Sequence, residues 1–558
     1  MSVAASHWHT TLASRVVNSV SGTDLPCPNT PWGGARPPGR CLVYRPSCHE
    51  QGLIGAPCWT VADGFHKIRL VIRILAIVIA SLFTLTASAA DTAGFEPLRL
   101  HPENPHYFLF RGKPTVLIAS GEHYGAVLNQ DFDYRTYLDI MKAEGMNLTR
   151  TVPGTSLEST NAGTYRGRDQ NTFAPRPGRF LAPWARSDTP GYFYGGNKFD
   201  LDRWDEAFFR RLKDFVSAAS ERGIVVEFNL FYVLYGDGPE FGKWNLHPLN
   251  ARNNVNNVGR VPFHRYNTLD EPALVARQEA VLRKLLTELN PFDNVYYEIC
   301  DEPYCSGASP KETDAWQNHL LEVADETMRK LPGRQLLAVN YANDYTVVKE
   351  LHPAVSVLNF HYSFPPAVVP LNWSLNKPIC FDESSGGHMT LERRREAWAF
   401  MLSGGAVYNN LDPSFATDDP TGSGKIQQPD GRFDGRALRK QLRILREFME
   451  SLDFIYMQPD RAAVAIPPHP GRCYALVKPG ASVAIYIHSP RKELRAGALL
   501  DLPRGRWRAE WLHPATGKWE TPRVIDHPGG GLTIDGPGFD QDIALRVQHV
   551  DTGTQRTR

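Results

Sequence analysis

The sequence has almost no excess of charge of either sign. Its 61 lysine and arginine residues are balanced by 60 aspartate and glutamate residues, which leaves a formal net charge of +1. Such a chain has no general field that would attract a polyanion, so its charge balance argues against nucleic acid or an anionic membrane surface as a partner. With 558 residues and no internal repeat or low-complexity linker, it can hold a large core and at least one accessory module.

Cysteine is scarce, and its spacing is unsuited to a metal site. Of the eight cysteines, four lie in the first 60 residues. The other four are Cys300, Cys305, Cys380 and Cys473. No Cys/His spacing resembles that of a zinc site. Cys300 and Cys305 could close a small disulfide loop, but two inert thiols fit the sequence equally well.

The apolar segment near the N-terminus is too short to span a bilayer comfortably. Three basic residues precede the run Ile74–Leu85, and the small residues Ala87-Ser-Ala-Ala90 follow it. This order is typical of a secretory signal peptide, here residues 67–90, with an uncleaved anchor as the alternative. Because signals begin at a true N-terminus, residues 1–66 are predicted to be a misassigned start or a disordered extension. The mature protein is then secreted or periplasmic, without stable membrane insertion.

Beyond residue 91, short apolar strands alternate with amphipathic helices. Eight strands are predicted, at residues 115–120, 147–152, 224–230, 295–299, 336–340, 355–361, 378–381 and 406–409. Seven helices are predicted, at residues 133–144, 202–222, 271–289, 311–330, 344–351, 391–403 and 434–452. This α/β alternation predicts a (β/α)8 TIM barrel over residues 95–455.

The loop after the first strand argues against the alternative α/β fold. An open doubly wound sheet would need a glycine-rich phosphate turn there, and Ser120-Gly-Glu-His-Tyr-Gly125 does not provide one. In a barrel this loop lies at the carboxyl ends of the strands, where active sites form. Glu122 and His123 are therefore predicted either to contact the substrate or to be hydrogen-bonded residues of the rim.

Residues 456–550 lack the helical pattern. Short strands separated by glycine and proline turns are predicted at residues 462–466, 473–477, 482–487, 506–511 and 543–547. This spacing predicts a small antiparallel β-sandwich. Because no linker precedes it, the sandwich is expected to pack tightly on the barrel.

Two loops at the predicted barrel mouth are unusually long. They span residues 153–200 and 231–270 and are rich in aromatic and amide side chains. Loops of this length in a compact domain usually shape a binding site. Aromatic faces stack on sugar rings and amides hydrogen-bond to hydroxyls, so Tyr232 and Trp244 are predicted to contact a carbohydrate.

Two of the predicted strands end in adjacent carboxylates. The fourth runs VYYEICDEP and ends at Asp301 and Glu302, and the seventh runs KPICFDE and ends at Asp382 and Glu383. Strands four and seven lie on opposite sides of a barrel mouth, so their terminal side chains can face each other across it. Two carboxylates about 5–5.5 Å apart are what a retaining glycosidase requires, one as nucleophile and one as acid and base.

These motifs together resemble the clan A glycoside hydrolases, most closely the cellulase-like family 5. The clan ends its fourth strand in Asn-Glu-Pro and its seventh in a glutamate after an apolar run. The resemblance implies that Glu302 is the acid/base and Glu383 the nucleophile. GMNLTR resembles the second strand, whose arginine, here Arg150, supports the nucleophile. NFHY resembles the sixth strand, so His361 and Tyr362 are expected to contact the sugar or the nucleophile.

The sequence departs from this family at two places. Asp301 stands where the clan has an asparagine that donates a hydrogen bond to the sugar. An ionised Asp301 cannot donate, so it is either protonated or meets a different group in the substrate-binding site. The eighth strand, AVYNNLDP, lacks the tryptophan that commonly floors the sugar subsite.

The resemblance implies a hydrolase that acts on a poly- or oligosaccharide. No metal or organic cofactor is expected, because the reaction needs only two carboxylates and water. The C-terminal segment WRAEWLHPATG resembles small sandwich modules labelled as collagen-binding. The alternatives are a non-catalytic carbohydrate-binding protein on a degenerate barrel and a matrix-binding protein that acts through the sandwich.

Overall fold

The computed structural model describes residues 96–550, with gaps. The omitted residues within that range are 123, 158–172, 235–242, 343–345, 385–388, 429–430, 461–463, 466–471 and 491–493. The predicted extension 1–66 and the predicted signal peptide 67–90 lie outside the described residues. Within the described part of the chain, no helix is both long and apolar enough to cross a membrane.

Eight parallel strands form the barrel predicted from the sequence. They are β1 Leu117–Gly121, β2 Leu148–Thr151, β3 Val225–Tyr232, β4 Val295–Asp301, β5 Leu337–Tyr341, β6 Val357–His361, β7 Ile379–Glu383 and β8 Val407–Leu411. Their order around the sheet is β1-β8-β7-β6-β5-β4-β3-β2. Strand β4 therefore lies between β3 and β5, and β7 between β6 and β8, which puts the two predicted carboxylate motifs on separate parts of the mouth.

Asn147 joins the two ends of this sheet. Its backbone N–H donates to the Ile118 carbonyl at 3.4 Å. Its side-chain oxygen accepts from the Ile118 N–H, and its amide nitrogen donates to the Val116 carbonyl, both at 2.8 Å. The residue before β2 thus supplies the link between β1 and β2 that closes the barrel.

Helices cover the outside of the barrel. The longer ones are α1 Tyr134–Ala143, α2 Glu206–Glu221, α3 Pro272–Leu289, α4 Pro310–Met328, α5 Val368–Asn372, α6 Thr390–Met401 and α7 Gly435–Glu450. Single turns occur at Gly125–Leu128, Lys243–Leu246, Phe263–Arg265, Pro303–Cys305, Trp373–Leu375 and Phe454–Tyr456. Local sequence sets the helix starts: Ser309 and Glu312 form a capping box at α4, and the Asp205 side chain caps α2.

The helix predicted at residues 344–351 is wrong for the part that is described. Residues 346–351 form no helix, and the Asn372 side chain at the end of α5 holds them by accepting from the Val348 N–H at 2.8 Å and donating to the Thr346 carbonyl at 2.9 Å. These tertiary hydrogen bonds satisfy backbone groups that a helix would have paired locally. The helix that packs at this side of the barrel is the short α5, after β6.

Smaller sheets flank the barrel. Strands Arg99–Leu100, Phe108–Phe110 and Lys113–Thr115 form an antiparallel sheet before β1. Two hairpins project from the loops after β2 and β8. Their strands are Trp184–Pro190 with Asn197–Trp204, and Lys425–Gln428 with Gly431–Asp434.

The C-terminal region consists of antiparallel strands in two sheets, as predicted. The larger sheet contains Gln458–Pro459, Arg472–Lys478, Ser482–His488, Asp542–His549, Gly505–His513, Lys518–Trp519 and Arg523–His527. The smaller contains Val464–Ala465, Leu494–Leu502 and Gly530–Phe539. The inner faces of the two sheets bury a hydrophobic core of their own around Trp507 and Trp511.

The sandwich packs directly on the barrel. Arg394 of α6 donates to both carboxylate oxygens of Asp542, at 2.8 and 2.9 Å, and both side chains are buried. Tyr486 also donates to Asp542, at 2.9 Å, and its ring stacks on Trp398 of α6 with centroids 5.5 Å apart. This contact fits the expectation that no flexible linker separates the two parts.

Candidate active site

The backbone at the end of β4 is strained where it presents Glu302. This residue has φ +45° and ψ +48°, the left-handed region that non-glycine residues rarely occupy. Pro303 follows and begins a 3-10 turn, so the strand cannot continue. A non-glycine residue in this backbone conformation costs the folded state about 1–3 kcal/mol, and such residues cluster at functional sites.

The opposite side of the mouth shows a second irregularity. The pairing register of β6 with β7 shifts between Phe360 and His361, so that His361 pairs with Glu383. Tyr362, the next residue, has φ +53°, and its N–H donates to the Glu383 carbonyl at 2.9 Å. This bulge turns the ends of both strands towards the barrel mouth.

Glu302 and Glu383 meet at the imidazole of His361. His361 Nδ1 lies 2.9 Å from Glu302 Oε1 and 3.8 Å from Glu383 Oε2. The nearest oxygens of the two carboxylates are therefore separated by no more than the sum of those distances. That limit is compatible with the spacing of about 5–5.5 Å between carboxyl groups that retaining hydrolysis uses.

Glu383 is held at both of its oxygens. Arg150 Nη1 donates to Oε2 at 3.0 Å, and the Tyr362 hydroxyl donates to Oε1 at 2.8 Å. Donors to both oxygens, one of them a guanidinium, favour the ionised carboxylate and fix its orientation.

Glu302 has a different environment. Its Oε1 faces His361 Nδ1 and also accepts from the Tyr304 hydroxyl at 3.4 Å. Burial lowers the pKa of His361, but the charges of Glu383 and Asp382 and the hydrogen bond to Glu302 outweigh this effect and raise it to about 10. Even a neutral His361 accepting at Nε2 from Arg150, 3.4 Å away, would carry its proton on Nδ1. In either state Nδ1–H donates to Glu302 Oε1.

Arg150 is the buried cation at the centre of the site. It donates through Nη2 to Asp301, and its Nε lies 3.2 Å from Asp382. Nη2 is also 3.6 Å from Glu298. Burial would lower the pKa of Arg150, but the neighbouring carboxylates outweigh it and hold the pKa well above its usual value. One guanidinium thus compensates four carboxylates that come from two strands, β4 and β7.

Asp301 lies beneath the mouth. Its side chain is fully buried, one oxygen accepts from Arg150, and Oδ2 has no hydrogen-bond partner among the described residues. Burial raises the pKa of Asp301 to about 7, with Arg150 opposing and Glu383 adding to the rise. With this pKa the carboxyl is only partly ionised near pH 7, so the protonated Asp301 that one of the two sequence alternatives requires is accessible at neutral pH.

Sequence reasoning missed a buried acidic cluster below these residues. Asn359 Nδ2 lies 2.7 Å from Glu227 Oε1, 2.5 Å from Glu298 Oε2 and 3.2 Å from Asp382 Oδ2. Tyr296 donates to the other oxygen of Glu227 at 2.6 Å. All are fully buried. The available signal was a glutamate inside each apolar strand, IVVEFNL and VYYEI, at positions whose side chains point into the barrel.

Protons neutralise part of this cluster. Burial and the charge of Asp382 raise the pKa of Glu227 to about 8, and the same causes raise that of Glu298 well above its usual value. Among the described residues, two sets of side chains have the geometry to hold a metal ion. One set is Glu298, His361 and Asp382, and the other is Asp301, His361 and Glu383. Arg150 and His361 already provide positive charge at both positions.

Three of the remaining predicted site residues differ in where the structure places them. Tyr232 ends β3, is paired in register with Asp301 and is half-buried at the mouth, as a substrate-contacting residue requires. Trp244 is only 3% exposed and donates through its indole N–H to the Val261 carbonyl at 2.7 Å. It packs against Tyr266, so its ring offers no open face for stacking on a sugar, and its contact with a carbohydrate stays a prediction. His123 lies outside the described residues.

Glu122 is a hydrogen-bonded residue of the rim, which is one of its two predicted roles. It is fully buried, and its carboxylate accepts from the backbone N–H groups of Tyr124, Gly125 and Ala126 at 2.9, 2.6 and 3.2 Å. These bonds cap the turn Gly125–Leu128, which the sequence pattern did not reveal. The described cysteines are all unbridged, so the possible disulfide between Cys300 and Cys305 is absent from this structure.

No protein-family model and no curated protein matches the sequence. Solved structures do match the fold. A structure described as a glycoside hydrolase is 13% identical, with a TM-score of 0.53, and the match covers 81% of this chain and 97% of that one. A glycoside hydrolase family 5 structure from Bacteroides vulgatus is also 13% identical at a TM-score of 0.53, covering 83% and 95%.

This chain has the fold of those hydrolases. At this identity the likeness concerns the fold alone, and it confirms the barrel architecture implied by the resemblance to clan A. The chain aligns with nearly the whole length of both structures, so the match extends beyond a single supersecondary unit.

Proposed function

We propose that this protein is a secreted glycoside hydrolase that cleaves O-glycosidic bonds of a poly- or oligosaccharide with retention of configuration. The observation that carries the proposal is the meeting of Glu302 and Glu383 at one imidazole, although they are 81 positions apart and end different strands. The fold shared with glycoside hydrolases supports it. The predicted signal peptide at residues 67–90 supports export.

In the first step Glu383 attacks the anomeric carbon. Arg150 and Tyr362 hold its two oxygens and keep it ionised. Glu302 protonates the leaving oxygen at the same time. Because His361 donates to Oε1 of Glu302, the acidic proton of Glu302 is carried on Oε2. The C–O bond to the leaving group breaks as the ester to Glu383 forms.

In the second step Glu302 acts as a base. While Glu383 is ionised, its negative charge favours the protonated form of Glu302. Esterification removes that charge, and the N–H of His361 then stabilises Glu302 as a carboxylate. Glu302 takes a proton from water, the hydroxide attacks the anomeric carbon, and the ester to Glu383 breaks. Both carboxylates return to their starting states.

Replacing Glu383 tests the proposal. Glu383→Ala should lower kcat on an activated aryl glycoside by at least about a thousandfold, because the covalent route is lost. Azide should restore part of the turnover by attacking from the vacated side, giving a glycosyl azide of inverted configuration. Glu447→Ala, on the exposed face of α7, is the matched control and should keep the wild-type rate.

Three outcomes would contradict the proposal. Wild-type turnover by Glu383→Ala would remove this residue from the mechanism. Release of the inverted sugar by the wild-type enzyme would exclude a covalent intermediate. Calorimetric binding of sugars without product from any glycan would favour the degenerate, non-catalytic barrel instead.

A further inference from the structure

A groove lies beside the barrel mouth, between two of the long loops. One wall is the hairpin after β2, and the other is the segment 244–262, which follows β3. The volume of the groove is about 1160 Å³. Trp244 and Asn245 line it, together with Lys198 of the hairpin and Arg252 and Arg260 of the segment. The mechanism proposed above uses none of these side chains.

Among the described residues, the charged side chains that line this groove are all basic. Lys198, Arg252 and Arg260 form no ion pair with a carboxylate of the described residues, and no acidic side chain is among the described residues that line it. By contrast, the nearby Arg203 and Arg277 pair with Asp200 and Asp202. The whole chain carries a net charge of only +1. The three basic side chains, which have no carboxylate partner among the described residues, are therefore a local concentration of positive charge.

Amide side chains orient the two arginines. Arg252 Nη1 donates to Asn245 Oδ1 at 3.0 Å, and Arg260 Nη2 donates to Asn257 Oδ1 at 2.5 Å. Arg252 also lies 5.1 Å from the ring centroid of the exposed Phe193. These contacts occupy only some of the five N–H donors of each guanidinium. The others can pair in a bidentate manner with a carboxylate or a sulfate.

A short series of contacts leads from the predicted active site towards the groove. Tyr232 is paired in register with Asp301 at the ends of β3 and β4. Lys243 Nζ lies 3.9 Å from the centroid of the Tyr232 ring, and the next residue, Trp244, already lines the groove. A chain bound in the groove could therefore continue towards the two glutamates.

We infer that this groove binds an acidic segment of the substrate, so that the substrate is a glycan bearing carboxylate or sulfate groups. The inference rests on the proposed function and narrows its substrate class. Amides suit the hydroxyls of such a chain and the cations suit its charges. A nucleic acid is disfavoured, because Trp244, the one aromatic side chain among the described residues that line the groove, is only 3% exposed and offers no open face to a base.

Binding to matched acidic and neutral glycans tests the inference. The full-length Glu383→Gln variant, used so that no substrate is consumed, would be titrated with polygalacturonate and with the same polymer fully methyl-esterified. Alginate, a chondroitin sulfate and a single-stranded DNA of equal charge complete the panel. Arg252→Gln/Arg260→Gln should bind the preferred acidic glycan at least about tenfold more weakly, with a smaller salt dependence. Arg504→Gln/Arg523→Gln, which removes two exposed charges from the sandwich, should bind it as the parent does.

The possible results separate this inference from the proposed function. Loss of acidic-glycan binding in the groove variant alone supports it, provided that the thermal unfolding midpoint is unchanged. Equal affinity for acidic and esterified polymer, no binding to any acidic glycan, an unaffected groove variant, or tighter binding to DNA would each overturn it. A protein that binds acidic glycans through the groove but hydrolyses none would overturn the proposed function and leave the groove assignment standing.

Discussion

At the scale of single residues, Arg150 decides the electrostatics of the site. It is 1% exposed and lies within ion-pair distance of four carboxylates. Removing one partner of a buried ion pair leaves the others without compensation, which costs more than the pair contributes by itself.

The substitution Arg150→Met tests this role. It keeps much of the volume and removes the charge, so we expect a loss of about 3–5 kcal/mol in the free energy of unfolding at pH 7. The control, Arg443→Met, removes an arginine of α7 that is 51% exposed and should change stability by less than about 0.5 kcal/mol. Urea unfolding measures both. Equal effects of the two variants would show that the network around Arg150 has little energetic weight.

Asp301 shows how a single residue type can be interpreted only with its surroundings. From sequence it is a departure from the asparagine of the related family. In the structure its carboxyl pairs with Arg150 on one side and is buried without a partner on the other. Whether such a group is charged depends on burial and neighbouring charges, and neither can be read from the motif YEICDEP.

At the scale of elements, four strands of the barrel share a set of buried acids. Glu227 of β3, Glu298 of β4 and Asp382 of β7 surround Asn359 of β6. The pKa of Glu227 is raised from 4.5 to about 8 by burial and by Asp382, with Arg150 opposing. The native protein therefore keeps a proton that the unfolded chain releases at lower pH.

This proton makes stability depend on pH with a definite sign. Between about pH 4.5 and 8 the native state binds more protons than the unfolded state, so this contribution is fully present below pH 4.5 and is lost as the pH rises. Glu227→Gln removes that dependence. Relative to wild type, its free energy of unfolding should therefore become larger with every pH unit from 5 to 8, so that the variant is relatively more stable at pH 8 than at pH 5.

Urea unfolding at pH 5, 6, 7 and 8 measures this difference. Glu447→Gln, an exposed residue of α7, should give a difference from wild type that does not vary with pH. A pH-independent difference for Glu227→Gln as well would mean that Glu227 is ionised in the native state.

At the scale of the whole molecule, barrel and sandwich share a hydrophobic core and a buried ion pair. The main hydrophobic core of the barrel continues into the sandwich through Tyr486, Leu512 and Ala544. Arg394 and Asp542 form a buried two-point ion pair across the same contact. The sandwich therefore supports α6, the helix that follows the strand ending in Glu383.

A double-mutant cycle measures the strength of that contact. Arg394→Ala and Asp542→Ala should show a coupling of about 1–3 kcal/mol in the free energy of unfolding, because the two groups are desolvated and doubly hydrogen-bonded. The exposed pair Arg506 and Asp526, 3.7 Å apart within the sandwich, is the control and should couple by less than about 0.5 kcal/mol. Similar values for both cycles would mean that the barrel and the sandwich are joined by apolar packing alone.

The local pattern of the sequence was sufficient for the order of elements. All eight barrel strands and six of the seven helices correspond to predicted segments, because hydrophobic period and helix caps act over a few residues. The helix at residues 344–351 was wrong because distant Asn372 supplies the hydrogen bonds of that segment. The motifs also predicted Glu302, Glu383, Arg150, His361 and Tyr362 as site residues, and the structure brings them together because each lies at or next to the carboxyl end of a strand.

Only the tertiary structure decided what these side chains do to one another. Arg150 meets Asp301 across 151 positions and Glu383 across 233. The pKa values of Glu227 and Glu298 are raised because the closed barrel buries them beside Asp382 of another strand. Packing of the loops at the mouth also buried Glu122, for which the sequence left two roles open, and Trp244, which was predicted to contact a carbohydrate. Hydrophobic periodicity depends on residues that are neighbours along the chain, whereas the burial and pKa of a side chain depend on its neighbours in space. The sequence alone therefore specified a barrel with acids at its mouth, and the packing of that barrel determined their charge states and partners.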